Sequence, residues 1–320
     1  MSLVGHDDVW RAWRAALASP RLHHGWILAG KRGLGKAAFA LAAARELVDE
    51  PGVAQPKGDH PDVIVLEPLP ATADDEKKRE EGKPYQRKRN ITVEQIRAMQ
   101  QRLTTRPTLG GRRVIIIDPA DDLEKGAANA LLKSLEEPPA GSYFLLVAHR
   151  PGRLLPTIRS RCRLLPFAPL DATEIDGILR REAPEADAAM REAAIAAAGG
   201  SPGVALEFVE LDLSRVHALM REIVEHGDPD FSRRGQLAAA IGQRPDRQRQ
   251  LAAIDLARAV VASRMVSTPL AAIPTLTEAH ADLNRLAAQA PTYNFEAGLL
   301  VMEIGTLLAS LAVPSAPEHA

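Results

Sequence analysis

Apolar positions along this chain alternate between short unbroken runs and longer stretches in which they recur every third or fourth residue. The unbroken runs at 26–29, 114–117 and 143–148, with a further one in the segment GDHPDVIVLEP, predict strands buried on both faces. The spaced stretches predict helices. Val9, Trp10, Trp13 and Leu17 mark one over 7–18, and an alanine-rich run marks another over 36–48. Ile91, Ile96, Met99 and Leu103 pattern a third. Ala128, Leu131, Leu132 and Leu135 pattern a fourth, which Glu136-Glu137-Pro138-Pro139 stops abruptly. Strands and helices that alternate in this way argue for an α/β fold on a parallel sheet.

The pattern changes after residue 170. Ile175, Ile178 and Leu179, then a helix around 190–198 ended by Gly199-Gly200, read as a small helical segment over 170–208. Beyond 209 the pattern is entirely helical, with amphipathic runs near 213–225, 248–265, 276–289 and 295–312, and a frayed tail at 314–320. Residues 71–89 are almost wholly polar and mix both signs, which predicts a solvated loop or a locally disordered insertion.

Composition narrows the function classes. The 320 residues are 46% hydrophobic and 25% charged, as in a folded globular protein. A net charge of -1 provides no overall basic field for tight, autonomous nucleic-acid binding. The single cysteine, Cys162, excludes an intramolecular disulfide and a cysteine-based zinc module. No apolar run is long enough to cross a bilayer, and acids stand where a signal peptide needs an apolar core, so the expected location is the cytoplasm. His23, His24 and His60 lack the spacing of metal ligands, and no zinc is expected.

Two places carry chemistry. Gly30 to Gly35, with Gly33 between them, form a glycine-rich turn between a strand and a helix, and Gly30, Gly35 and Lys36 fit G-x-x-x-x-G-K. That arrangement aims backbone N–H groups and a helix N-terminus at phosphates. The next residue is Ala37, where the motif needs a hydroxyl for magnesium. Asp118 ends the 114–117 strand, where an acid can face a phosphate-bound metal, although taken alone it reads as readily as a turn residue. The second place is LLPTIRSRCRLLPFAPL. Arg159, Arg161 and Arg163 would all point one way if the piece were extended, or would line a solvated strand edge.

Gly30 to Lys36, Asp118, AANALLKSLEEPP at 127–139 and Ser160-Arg161-Cys162, in this order, resemble the clamp-loader branch of the AAA+ ATPases. RLHHGW, GDHPDV and ITVEQIRAM strengthen the likeness, which covers about 1–210. The resemblance implies an AAA+ P-loop core over 1–168, a helical lid over 169–208 and an all-α collar for oligomerisation over 209–320. Departures from the ATPase pattern are as informative. Pro119 follows Asp118 where active relatives place a glutamate base, Ala148-His149 stands at the sensor position, and Gly203 replaces a nucleotide-sensing arginine. With Ala37, four hydrolytic parts are missing together.

The likeness is therefore to the hydrolytically silent subunits of the bacterial DNA polymerase III loader, with no intrinsic ATPase and no required cofactor. Gly30, Gly33, Gly35, Lys36 and Asp118 would form a degenerate nucleotide site, its occupancy by ATP or ADP left open. Arg161 resembles the arginine finger donated in trans to a neighbour's ATP site, against the plainer reading of an intrachain salt bridge; Cys162 reads as a packing residue. The implied partners are gamma/tau ATPase subunits, a delta subunit, and, through the complex, the sliding clamp and primer-template DNA. The rivals are a gamma/tau-like ATPase using Lys36 and Asp118, and a stand-alone nucleotide- or DNA-binding module.

Overall fold

Helix α1 (Asp7–Leu17) turns Val9 and Trp13 inward and carries Asp7 and Asp8 in its first turn, the end at which acids favour a helix. The structure, a computed structural model, describes residues 5–19, 21–242, 245–265, 268–290 and 296–312. The tail expected at 314–320 lies outside them. Contacts divide the chain into two units, Met1–Leu170 and Asp171–Ala320.

In the first unit, α1 is followed by β1 (Gly25–Ala29), α2 (Lys36–Val48), β2 (Val63–Leu66), α3 (Ala73–Glu80), α4 (Val93–Leu103) and β3 (Arg113–Ile117). Then come α5 (Lys125–Glu136), β4 (Ser142–Ala148), the single turn α6 (Pro156–Arg159) and β5 (Arg163–Pro166). The five strands form one parallel sheet in the order β2-β3-β4-β1-β5. Every residue of β1 and β3 is buried, which is why these runs show no polar alternation. Their side chains nevertheless divide with period two. Val114 and Ile116 pack with Trp13, Phe39 and Leu47 on the face covered by α1 and α2. Ile115 and Ile117 pack with Ile96, Met99, Leu131 and Leu135 of α4 and α5 on the other.

The polar segment 71–89 is ordered, a correction to the expected loop or disorder. Thr72 caps α3, and Asp75 is buried, accepting from Thr72 Oγ1 at 2.7 Å and from the Gln86 amide at 3.0 Å. Ala71 N donates to Gln86 O at 2.8 Å and Lys88 N to Leu69 O at 2.6 Å, closing the segment into a clasp. It has no apolar face, so hydrophobic periodicity could not reveal it. Acids in its first turn and bases in its last complement the helix dipole instead.

Arg113 is a second surprise. The first residue of β3, it is buried against Asp62, Nη2 to Oδ1 at 3.2 Å. Its guanidinium also donates to the carbonyls of Arg102, Thr105 and Arg106, while Asp62 accepts from the amides of Thr108 and Leu109. The loop after α4 is thereby tied to the amino ends of β2 and β3.

The second unit is helical throughout its described residues: α7 (Ala172–Glu182), α8 (Ala188–Ala198), α9 (Pro202–Glu210), α10 (Ser214–His226), α11 (Ser232–Ile241), α12 (Arg247–Met265), α13 (Ile273–Gln289) and α14 (Ala297–Ala309). Asp171 and Glu174 form a capping box at α7, and Gly199 ends α8 in the left-handed region. The amphipathic runs fall on α10, α12, α13 and α14, while residue 295 lies outside the described residues. Helix α11 gave no clear signal, because Gly235 interrupts it and one of its inward residues is charged. That residue, Arg234, donates to Asp228 at 2.7 Å and to Thr306 Oγ1 at 3.0 Å across α14. Gly305 leaves it room: a Cβ there would meet Arg234 Cγ at 2.4 Å.

Candidate functional site

The glycine loop leaves the carboxyl end of β1 and enters α2. Gly30 N donates to Ala148 O at 3.1 Å, and a Cβ on Gly30 would meet the Phe167 carbonyl at 2.6 Å, so β4 and the chain after β5 both close on it. Gly33 and Gly35 take φ of 79°, which only glycine adopts without strain. Lys36 is the first residue of α2, and its side chain folds back. Nζ donates to Gly30 O at 2.7 Å and Lys31 O at 2.5 Å, leaving the residue 2% exposed. Burial pushes the ammonium down to about 8, against the pull of Asp118 and Asp121.

Asp118 follows β3, its amide donating to Leu66 O at 2.9 Å. Burial raises its carboxyl, and Glu67 adds to that, while Lys36 and Arg87 oppose it. The geometry thus gathers Gly30, Gly33, Gly35 and Lys36 in one loop with Asp118 near enough to feel the ammonium. Asp121 went unnoticed in the sequence. Its carboxylate accepts from the backbone amides of His149 and Arg150, capping the end of β4. His149 is held down to about 4 by burial, with Lys36 adding to the effect, and its Nδ1 is buried without a hydrogen-bond partner. At neutral pH the ring is uncharged.

These groups do not fit a magnesium-bound nucleotide. Ala37 presents a methyl where a metal ligand is needed, Pro119 has no base, and the Lys36 ammonium is engaged by carbonyls of its own loop. Among the described residues no group of three or more His, Cys, Asp or Glu side chains is placed to hold a metal ion. No helix there is long and apolar enough to cross a membrane.

Arg161 lies elsewhere in the unit, in the turn between α6 and β5. The chain is helical at 156–159 and turns at 160–162, so Arg159, Arg161 and Arg163 do not share one face of an extended piece, and the solvated strand edge holds for Arg163 alone, the exposed first residue of the edge strand β5. Pro156 starts the turn at the position where its missing N–H is harmless. Arg161 Nη1 donates to Thr157 O at 2.9 Å and to Ser160 Oγ at 3.3 Å, and Nη2 meets Glu136 Oε1 at 2.6 Å. An intrachain salt bridge is therefore present, with 34% of the arginine and 47% of the glutamate side chain exposed. Glu136 is the last residue of α5, whose end is fixed by His24 Nε2 on Leu135 O at 2.9 Å. One signal in the sequence bears on Glu136 without naming its partner: an acid at a helix C-terminus meets the negative end of the dipole and is favoured by a cation from elsewhere. Cys162 packs against the core beneath Gly25, whose Cβ would lie 2.9 Å from Sγ, and burial pushes its thiol up to about 12. A thiol so protonated packs and does not react.

A family model described as DNA polymerase III, delta subunit, matches residues 5–171, more than half of the chain. The chain belongs to this family, that of the delta-prime-type clamp-loader subunits. Among curated relatives of the family, DNA polymerase III subunit delta-prime of Pseudomonas aeruginosa is 38% identical over 193 residues, covering 56% of this chain and 53% of the relative. The Escherichia coli subunit delta-prime is 33% identical over 214 residues, covering 62% and 58%. The match thus spans little more than half the length of each. A crystal structure of a DNA polymerase III gamma subunit-related protein from Thermotoga maritima superposes with a TM-score of 0.50 at 18% identity, covering 95% of this chain and 99% of that one, and shows the shared fold.

Proposed function

We propose that this clamp-loader subunit does not hydrolyse ATP and instead completes the ATP site of a neighbouring gamma/tau subunit with Arg161, in a loader that sets a sliding clamp on primer-template DNA. The observation that carries the reading is the contrast between two cations of one unit. Lys36 is buried on its own loop, whereas about a third of the Arg161 side chain is exposed. A guanidinium suits a finger because it stays charged and approaches phosphate as a fork. Its tie to Glu136 is no obstacle, since an exposed ion pair contributes only about 0–1 kcal/mol. Gly30, Gly33, Gly35, Lys36 and Asp118 are then a remnant nucleotide site. Residues 1–168, 169–208 and 209–320 serve as core, lid and ring-forming collar, beside gamma/tau and delta subunits in the cytoplasm.

Two measurements test the proposal. The isolated chain should show no ATP turnover; turnover abolished by Lys36→Ala would overturn the silent-subunit reading in favour of a gamma/tau-like ATPase. In the reconstituted loader Arg161→Ala should slow turnover at the site it serves, fingers supplied in trans being worth roughly 10³- to 10⁵-fold. An unchanged rate removes Arg161 from the mechanism.

A further inference from the structure

We infer that Glu136 is a positioning residue for Arg161, holding the guanidinium against its own chain until the phosphates of a neighbour's nucleotide displace it. The inference rests on the proposed role of Arg161 and adds a second residue to it. A finger that reaches into another subunit must extend. Here the side chain is folded back along its own turn, onto the carbonyl four residues earlier at 2.9 Å and the Ser160 hydroxyl at 3.3 Å, with Glu136 completing the hold at 2.6 Å.

The hold is built from several elements. His24 fixes the end of α5 through Leu135 O. Pro138 and Pro139 follow the C-cap residue Glu137 and prevent the helix from continuing, so Glu136 sits at its terminus. Cys162 and Gly25, in contact, seat the Arg161 turn against β1. The negative end of α5 adds its pull on the guanidinium to that of the carboxylate.

The strength of the hold matches the task. Both side chains are partly exposed, so the pair is screened and weak, and a carboxylate carries one negative charge where a nucleoside triphosphate carries several. An empty neighbouring site leaves Arg161 on Glu136; a filled one outcompetes Glu136 for it. The pair acts as a threshold, making engagement of the finger depend on triphosphate in the adjoining site.

The test uses the full loader assembled with this chain. Glu136→Gln keeps the side-chain shape and removes the charge, and the surface position predicts an unchanged melting curve. ATP turnover at subsaturating ATP should rise by up to about fivefold, the factor an exposed pair carries. Glu136→Asp should return turnover toward the parent, and the gain should shrink as salt rises. Glu136→Gln with Arg161→Ala should match Arg161→Ala alone. Unchanged or slower turnover with Glu136→Gln, where Arg161→Ala slows the loader, overturns the threshold and leaves the finger standing. A gain that survives Arg161→Ala also overturns it. If Arg161→Ala alone has no effect, the finger reading falls and this inference with it.

Discussion

Asp62 and Arg113 stand at the amino ends of two adjacent strands and form an ion pair 3.2 Å long from which water is excluded, at the opposite end of the sheet from the glycine loop. Burial pushes the Asp62 carboxyl up, but the Leu109 and Thr108 amides and Arg113 outweigh it and hold the group below the usual carboxylate range. Asp62→Ala leaves a buried guanidinium without its counter-charge. The expected loss is about 3–5 kcal/mol, read as a lowered urea midpoint of the first unit. Because the folded pKa is depressed, the contribution is full above the ordinary carboxylate pKa and fades as pH falls through the folded value.

His149 predicts a pH dependence of its own. Burial lowers the ring to about 4, below the unfolded 6.5. Between those values the unfolded chain binds a proton that the folded chain refuses, so stability falls as pH drops from about 6.5 to about 4. His149→Gln should flatten that part of the curve and leave stability above pH 7 little changed. Thermal melting at half-unit pH steps is the measurement, and an unaltered acid slope would mean that the ring charges freely.

Gly25 and Cys162 make a steric prediction. A Cβ at Gly25 meets Sγ at 2.9 Å and the Arg161 carbonyl at 3.2 Å. Gly25→Ala should cost about 1–3 kcal/mol, as small-to-large changes in packed sites do. Adding Cys162→Ala should restore part of it by opening the space, while the contact with the Arg161 carbonyl persists. Denaturant titration of the single and double variants gives the coupling between the two sites.

The clasp over 71–89 predicts local rather than global loosening. Asp75→Ala removes the acceptor that joins Thr72 to the Gln86 amide. Trypsin should then cut at Lys77, Lys78 or Arg79 faster than in the parent, with the melting temperature nearly unchanged. Equal cleavage rates would show that the backbone pairing of Ala71 and Lys88 suffices.

The strands, α2, α5 and the loop at 30–35 were legible because each is dominated by one strong local rule: a continuous apolar run, a 3.6-residue period, or glycines before a lysine. What escaped depended on charge placed by tertiary structure. Arg113 and Arg234 look like surface residues until Asp62 and Asp228 are found beside them, and α3 and α11 lack the apolar stripe that periodicity detects. At the candidate sites the residue types were readable, whereas the directions of Lys36 and Arg161 were not. A side chain that folds back onto carbonyls and one that reaches outward are spelled alike. Glu136 was read as part of a helix stop, and its tie to Arg161 across 25 residues needed coordinates.

Lys36 finds in two peptide oxygens what a visiting phosphate would otherwise bring. If the loop is the remnant site proposed above, it reaches finished form as the chain folds, with no small molecule to await. On the proposed reading, a subunit so made holds one shape while its neighbours charge and discharge, and gives the ring a stationary post against which their movement does work.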